Sequence, residues 1–239
     1  GRLSKSLDLP IMFNLSQIDQ TPELWREGRA RLHALVESGA RMKAQVAGRA
    51  IGIVMGFRGT AHPFALLPSW LQLMHAGWEA QWTALQDPDF RQRLLTEEAI
   101  FVGDFETFVT TSFHKMFPMD AGYEPDAGQS LAAMAERQGV SGRQVALDLL
   151  LRNEGNGHLY FPLFNYAHGD LDTLHGLHQD PHTLMGLSDA GAHCGAICDG
   201  GMPTFMLTHW ARDRARGGTL PLEWMVHRQT QQTAASYGL

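Results

Sequence analysis

Short apolar runs alternate with stretches of helical periodicity along this chain, and that alternation predicts an α/β architecture. Leu9 to Gln17 reads as a strand whose end turns polar at Asn14, Ser16 and Gln17. Thr21 then predicts a helix cap with Pro22 at the first helical position, and Leu24, Leu32, Leu35 and Val36 recur at helical spacing until Ser38 and Gly39 stop them. A second strand is predicted from Met42 to Val54, interrupted by Gly48 and Gly52. Strand, helix, strand in this order predicts a parallel unit of the barrel or doubly wound kind.

The middle of the chain is less regular. Gly59, His62, Pro63 and Pro68 predict a loop, followed by a Trp- and Leu-rich helical stretch in which Trp78 and Trp82 share one face as core packing. Asp87-Pro88 predicts the start of another helix. Residues 101–129, aromatic at Phe101, Phe105, Phe108, Phe113 and Phe117 and then rich in turn formers, predict an irregular insertion, either an active-site loop or disordered. His114 and Lys115 suit either the wall of a pocket or, more commonly, a surface pair. Helices are predicted from Ser130 to Gln138 and from Ser141 onward, and a strand from Leu159 to Phe164. Asp170 to Leu177 reads as a short helix, Thr183 to Leu187 as a strand, and Pro203 to Arg216 and Pro221 to Gln231 as helices, with a short successor at Thr233 to Leu239.

At 239 residues, with 44% hydrophobic and 18% charged, the chain is globular in composition and long enough to bury a substantial core. A formal charge of −6 with scattered Lys and Arg offers no footprint for nucleic acid. No apolar run of transmembrane length and no secretory leader is read from the sequence, and the two cysteines, Cys194 and Cys198, suit a reducing, cytoplasmic setting better than a disulfide framework. The start at Gly1, directly ahead of a strand-like segment, suggests a piece of a longer polypeptide.

Candidate chemistry concentrates in residues 183–199. The predicted strand Thr183 to Leu187 is followed by Ser188, Asp189 and His193, where α/β folds place their active sites. An Asp there can bind a cation and take a proton from a metal-bound water. The same residues also suit a plain strand-to-helix turn, with Asp189 bonding backbone N–H groups. Cys194 and Cys198 read as packing residues rather than a metal pair, and His168, His175, His178 and His182 as a solvated surface.

Three segments together resemble the D-aminoacylase (N-acyl-D-amino-acid deacylase) branch of the amidohydrolase superfamily. They are Gly186-Leu-Ser-Asp-Ala-Gly-Ala-His193 with Cys198-Asp199 and Pro203 to Asp213; Leu220 to Thr230 with Thr233 to Leu239; and Val46-Ala-Gly48 with Ser130 to Leu150 and Leu159 to Asn165. The resemblance covers most of this chain but only the later barrel portion of such an enzyme. It implies the later part of a (β/α)8 TIM barrel, incomplete here, and metal-dependent hydrolysis of an amide in a small N-acyl amino acid or related compound. Asp189 takes the position of the metal-touching proton shuttle and His193 that of a substrate neighbour. Asn14 and Gln17 stand on the strand that in those enzymes ends Ser-His-His-Lys, and Arg49 follows Val46-Ala-Gly48, so Asn14, Gln17 and Arg49 are expected to face substrate.

The departures are also specific. Among the twelve histidines there is no His-x-His pair, and Phe13 to Gln17 lacks both the ligating His and the Lys of the family strand. The resemblance therefore implies zinc or another divalent metal that is incompletely liganded within the chain, its remaining ligands supplied by a missing part of a longer polypeptide or a divergent, mononuclear centre. The competing expectation is a non-catalytic fragment or pseudoenzyme that binds a small ligand or a partner through its strand ends. An incomplete barrel exposes strand edges, which predicts pairing with the missing remainder or with a second copy. No nucleic-acid or membrane partner is expected.

Overall fold

The computed structural model describes residues 1–188, 191, 193–197 and 199–239. It is a mixed α/β structure. A short helix α1 (Arg2–Leu7) precedes β1 (Ile11–Asn14) and α2 (Leu24–Glu37). Helix α2 starts later than the Thr21-Pro22 signal predicts, because Thr21 is spent in a bridge with Ile18. The predicted strand 42–54 divides into β2 (Met42–Ala47) and β3 (Ile51–Met55). The break has a tertiary cause: the Gly48 carbonyl accepts the indole N–H of Trp210 at 2.7 Å and so leaves the strand ladder.

Next come α3 (Pro68–Leu71), α4 (Trp78–Gln86) and α5 (Pro88–Thr96), the last capped by Asp87, which accepts the Asp89 N–H. The expected irregular stretch contains α6 (Asp104–Thr111), the two-residue β4 (Phe117–Pro118) and single 3-10 turns. Helix α7 (Leu131–Gln138) is capped by Ser130 and ended by Gly139 at φ 68°, and α8 (Gly142–Leu150) is capped by Ser141. After α9 (Arg152–Gly155) follow β5 (Leu159–Phe164), α10 (Asp172–Gln179) and β6 (Thr183–Gly186). The chain closes with α11 (Met202–Thr208), which runs into a π turn at His209–Asp213, then α12 (Leu222–Gln229) and α13 (Gln231–Ser236).

The chain forms two compact units. The first comprises Gly1–Gly52, Leu163–Ala192 and Cys198–Leu239. Its sheet is parallel in the order β1-β2-β6, with Phe13 beside Ala44 and Ala44 beside Thr183. Parallel neighbours point their paired side chains to one face. Phe13, Ala44, Val46 and Met185 therefore share the face that meets α2 and α10 in a core with Leu32, Leu174, Leu177 and Trp210. Each such large side chain contributes at most about 1.5–3 kcal/mol on burial. Asn14, Lys43 and Gln45 alternate onto the other, wetter face.

The second unit comprises Ile53–Pro162 and His193–Ile197. Its sheet runs β3-β5-β4, with β4 antiparallel to β5, and its buried residues include Phe57, Phe64, Trp70, Leu94 and Phe161. Lys115 was expected on the surface beside His114, yet it is buried, with its ammonium 6.0 Å from the Phe108 ring centre and 5.9 Å from that of Phe161. A cation over aromatic faces recovers part of its lost hydration. The described strands do not close into a barrel, and no described helix is long and apolar enough to cross a membrane.

Candidate functional site

Because β1, β2 and β6 run parallel, their carboxyl ends open at the same end of the first sheet, where α/β proteins collect ligands. The residues delivered there are Leu15-Ser16-Gln17, Gly48-Arg49-Ala50 and Leu187-Ser188. Gly48 lets α11 approach: a β-carbon at that position would sit 3.2 Å from Met206 and 3.3 Å from Met185. Arg49 is only 1% exposed. Its Nη1 lies 3.2 Å from the carboxylate of Asp199, itself buried, and donates to the Ala50 carbonyl. Ser188 donates its hydroxyl to the Asp199 carbonyl at 3.0 Å. The turn after β2 is thus tied by a buried ion pair to Asp199, and the hydroxyl bond ties Ser188 to the same residue within the segment that follows β6.

Leu187, immediately before Ser188, has φ 60°. A leucine rarely adopts the left-handed region, and strain of this kind costs on the order of 1–3 kcal/mol and clusters at functional sites. Asp189, with Ala190, Ala192 and Cys198, lies outside the described residues. The catalytic and metal position expected at Asp189 therefore has no geometry to report.

At the end of β1, Gln17 is buried and its hydrogen-bonding capacity is largely engaged. Its backbone N–H donates to Asn165 Oδ1 at 2.8 Å and its carbonyl accepts the Asn165 N–H at 2.9 Å. The side-chain Oε1 accepts from the Ala167 N–H, and Nε2 donates to the Pro22 carbonyl and the Thr173 hydroxyl. Asn165 is wholly buried at φ 63°, and its Nδ2 has no hydrogen-bond partner. An unspent buried donor is costly unless something accepts from it, so Asn165 is the open polar contact of this cluster.

The remaining expected positions are dispersed. Asn14 is exposed and lies beside Gln45, whose Nε2 is 3.5 Å from the Tyr237 hydroxyl. His193 belongs to the second unit, is exposed, and has φ 53°, and its carbonyl accepts the N–H groups of Ala196 and Ile197. Arg49 is brought to Asp199, and Gln17 to Asn165. Asp199 and Asn165 entered the sequence reading only as ends of the segments that carry the resemblance, with nothing periodic to name their partners.

His178 corrects the reading of residues 168–182 as a solvated surface. It is wholly buried, its ring centre 5.4 Å from that of Trp210, and neither ring nitrogen makes a well-formed hydrogen bond. Burial foremost, then the nearby Arg228 charge, pushes its pKa down to about 3, against a weak opposite pull from the Gly48 and Ala47 carbonyls. It is a neutral core residue at physiological pH. His168, by contrast, is exposed and meets Glu23 at 2.9 Å. Among the described residues no group of three His, Cys, Asp or Glu side chains converges to hold a metal.

Set beside known proteins, the chain matches no family model, no curated protein and no solved structure.

Proposed function

We propose that this chain is an amide-bond hydrolase of the amidohydrolase kind, built on the later part of a (β/α)8 barrel, acting on N-acyl-D-amino acids or related small amides. One observation carries the reading: parallel strands deliver Arg49, ion-paired with Asp199, and the strained Leu187 with Ser188 to one sheet end, the last two directly ahead of Asp189 in sequence. In the hydrolysis, a water oxygen bonds to the amide carbon and the C–N bond breaks. Asp189 accepts the water proton and passes it to the departing amine. The Arg49–Asp199 pair and the Ser188 bond to the Asp199 carbonyl brace the two ends of the segment that carries Asp189. Zinc is the cofactor the resemblance implies. The described side chains do not make a set of three ligands for it, so no step is routed through it, and any such site would draw on Asp189 with donors beyond the described ones.

The test uses the full chain, with and without added zinc, against N-acetyl-D-leucine and its L enantiomer, reading free amine and bound metal. Amine release from the D substrate, reduced at least about a hundredfold in Asp189→Asn, is expected. No release under either condition, or equal turnover in the variant, sinks the assignment. A second reading, a non-catalytic module that binds a small ligand or a partner at the strand ends, is favoured by the internal engagement of Gln17 and Arg49. It predicts saturable binding of the same amides without turnover.

A further inference from the structure

The opposite end of the first sheet carries a cavity of about 600 Å3, within the size range of small-molecule sites. The starts of β1 and β2 line it, together with α13 and the residue just ahead of β6. Its wall has two parts. Met12, Met42 and Val36 supply apolar surface, while Arg41, Lys43, His182 and His227 supply cationic or protonatable groups, and no described Asp or Glu lines it.

Lys43 is half-buried and donates to the Pro181 carbonyl at 2.6 Å, which uses one of three ammonium N–H groups. Its pKa is lowered, first by burial and then by the Arg228 charge, against the pull of Asp180. His182 is likewise lowered by burial, then by His33 and Lys43, against Asp180 and Glu37. Asp180, which pulls on both groups, has its carboxylate directly bonded elsewhere, by Arg29 Nε at 2.6 Å and His33 Nε2 at 2.7 Å. On the α13 side, the buried Oε1 of Gln232 has no hydrogen-bond partner. Amide rotation lets Gln232 offer either an acceptor or a donor.

We propose that this cavity binds a small organic carboxylate with an apolar body, its carboxylate on Lys43 and His182 and its apolar part against Met12, Met42 and Val36. Arg41 already meets Asp8 at 3.4 Å, so the anion is held chiefly by the free N–H groups of Lys43 and by His182, and the apolar wall selects against small hydrated anions. The site stands apart from the strand carboxyl ends and does not depend on the hydrolase reading.

Calorimetric titration of the full chain with 4-phenylbutyrate tests it. Saturable binding with Kd below about 1 mM is expected, with 4-phenylbutanamide and inorganic phosphate each at least about tenfold weaker. Lys43→Met is expected to weaken phenylbutyrate at least about tenfold. Ala235→Trp, which keeps the lysine and fills the cavity from α13, is expected to abolish binding even if Lys43→Met does not fold. The proposal is overturned if phenylbutyrate does not saturate, if the neutral amide or phosphate binds as tightly, or if Ala235→Trp leaves the affinity unchanged.

Discussion

At the scale of single residues, the decisive feature is the pairing of Arg49 with Asp199. With side-chain exposures of 1% and 2%, neither charge can turn to water if its partner is removed. Removing one member of a buried pair typically costs about 3–5 kcal/mol, while replacing both members with apolar groups of similar size is often neutral. Asp199→Leu is therefore expected to lower the urea midpoint sharply, and Arg49→Met combined with Asp199→Leu to regain most of the loss. If the single variant costs less than about 1 kcal/mol, the pair has the weak coupling of a surface bridge. The sequence singled out Arg49, after Val46-Ala-Gly48, as a substrate-facing residue. It did not reveal Asp199 as the partner, because a contact between distant turns leaves no periodic trace in either segment.

Among the elements, what is encoded locally was legible. Ser130 and Gly139 bound α7, Ser141 opens α8 and Asp87-Pro88 opens α5, each by hydrogen bonds or backbone angles that neighbouring residues decide. The end of β2 was not, because Trp210 sets it from another element. The tie between the end of β1 and the turn after β5 is of the same nonlocal kind, and it rests on Asn165. Two contributions can be separated there. Asn165→Ala loses both the acceptor for the Gln17 N–H and a residue tolerant of φ 63°, whereas Asn165→Gly loses only the acceptor. A buried unsatisfied donor costs about 1–3 kcal/mol and a non-glycine left-handed residue about 1–2 kcal/mol more. Asn165→Ala should thus be the less stable variant in urea melts, by about 1 kcal/mol or more. Equal losses would show that the hydrogen bond alone holds the turn.

For the molecule as a whole, acid is the condition that reaches both units, since each buries one histidine. His178 in the first and His62 in the second both have pKa values pushed down to about 3, by burial first in each case, from an ordinary 6.5. Folding therefore keeps each ring neutral at pH values where the unfolded chain protonates it. Stability is fully present above about pH 6.5 and falls as the pH drops toward about 3, by up to about 1.4 kcal/mol per pH unit for each histidine. Carboxylates contribute lower down. The burial of Asp180 would raise its pKa, but hydrogen bonds from Arg29 and His33 outweigh it and hold the group below its usual value, so its contribution is lost only as the acid approaches the carboxylate range. The interval from about pH 6.5 to about 5 consequently isolates the histidines. Urea melts across that interval should show the wild-type midpoint falling with acid, and His178→Leu and His62→Leu should each flatten the slope whatever they cost at pH 7. Should both variants keep the wild-type slope, the two rings are protonated in the folded chain and the dry environments assigned to them are wrong.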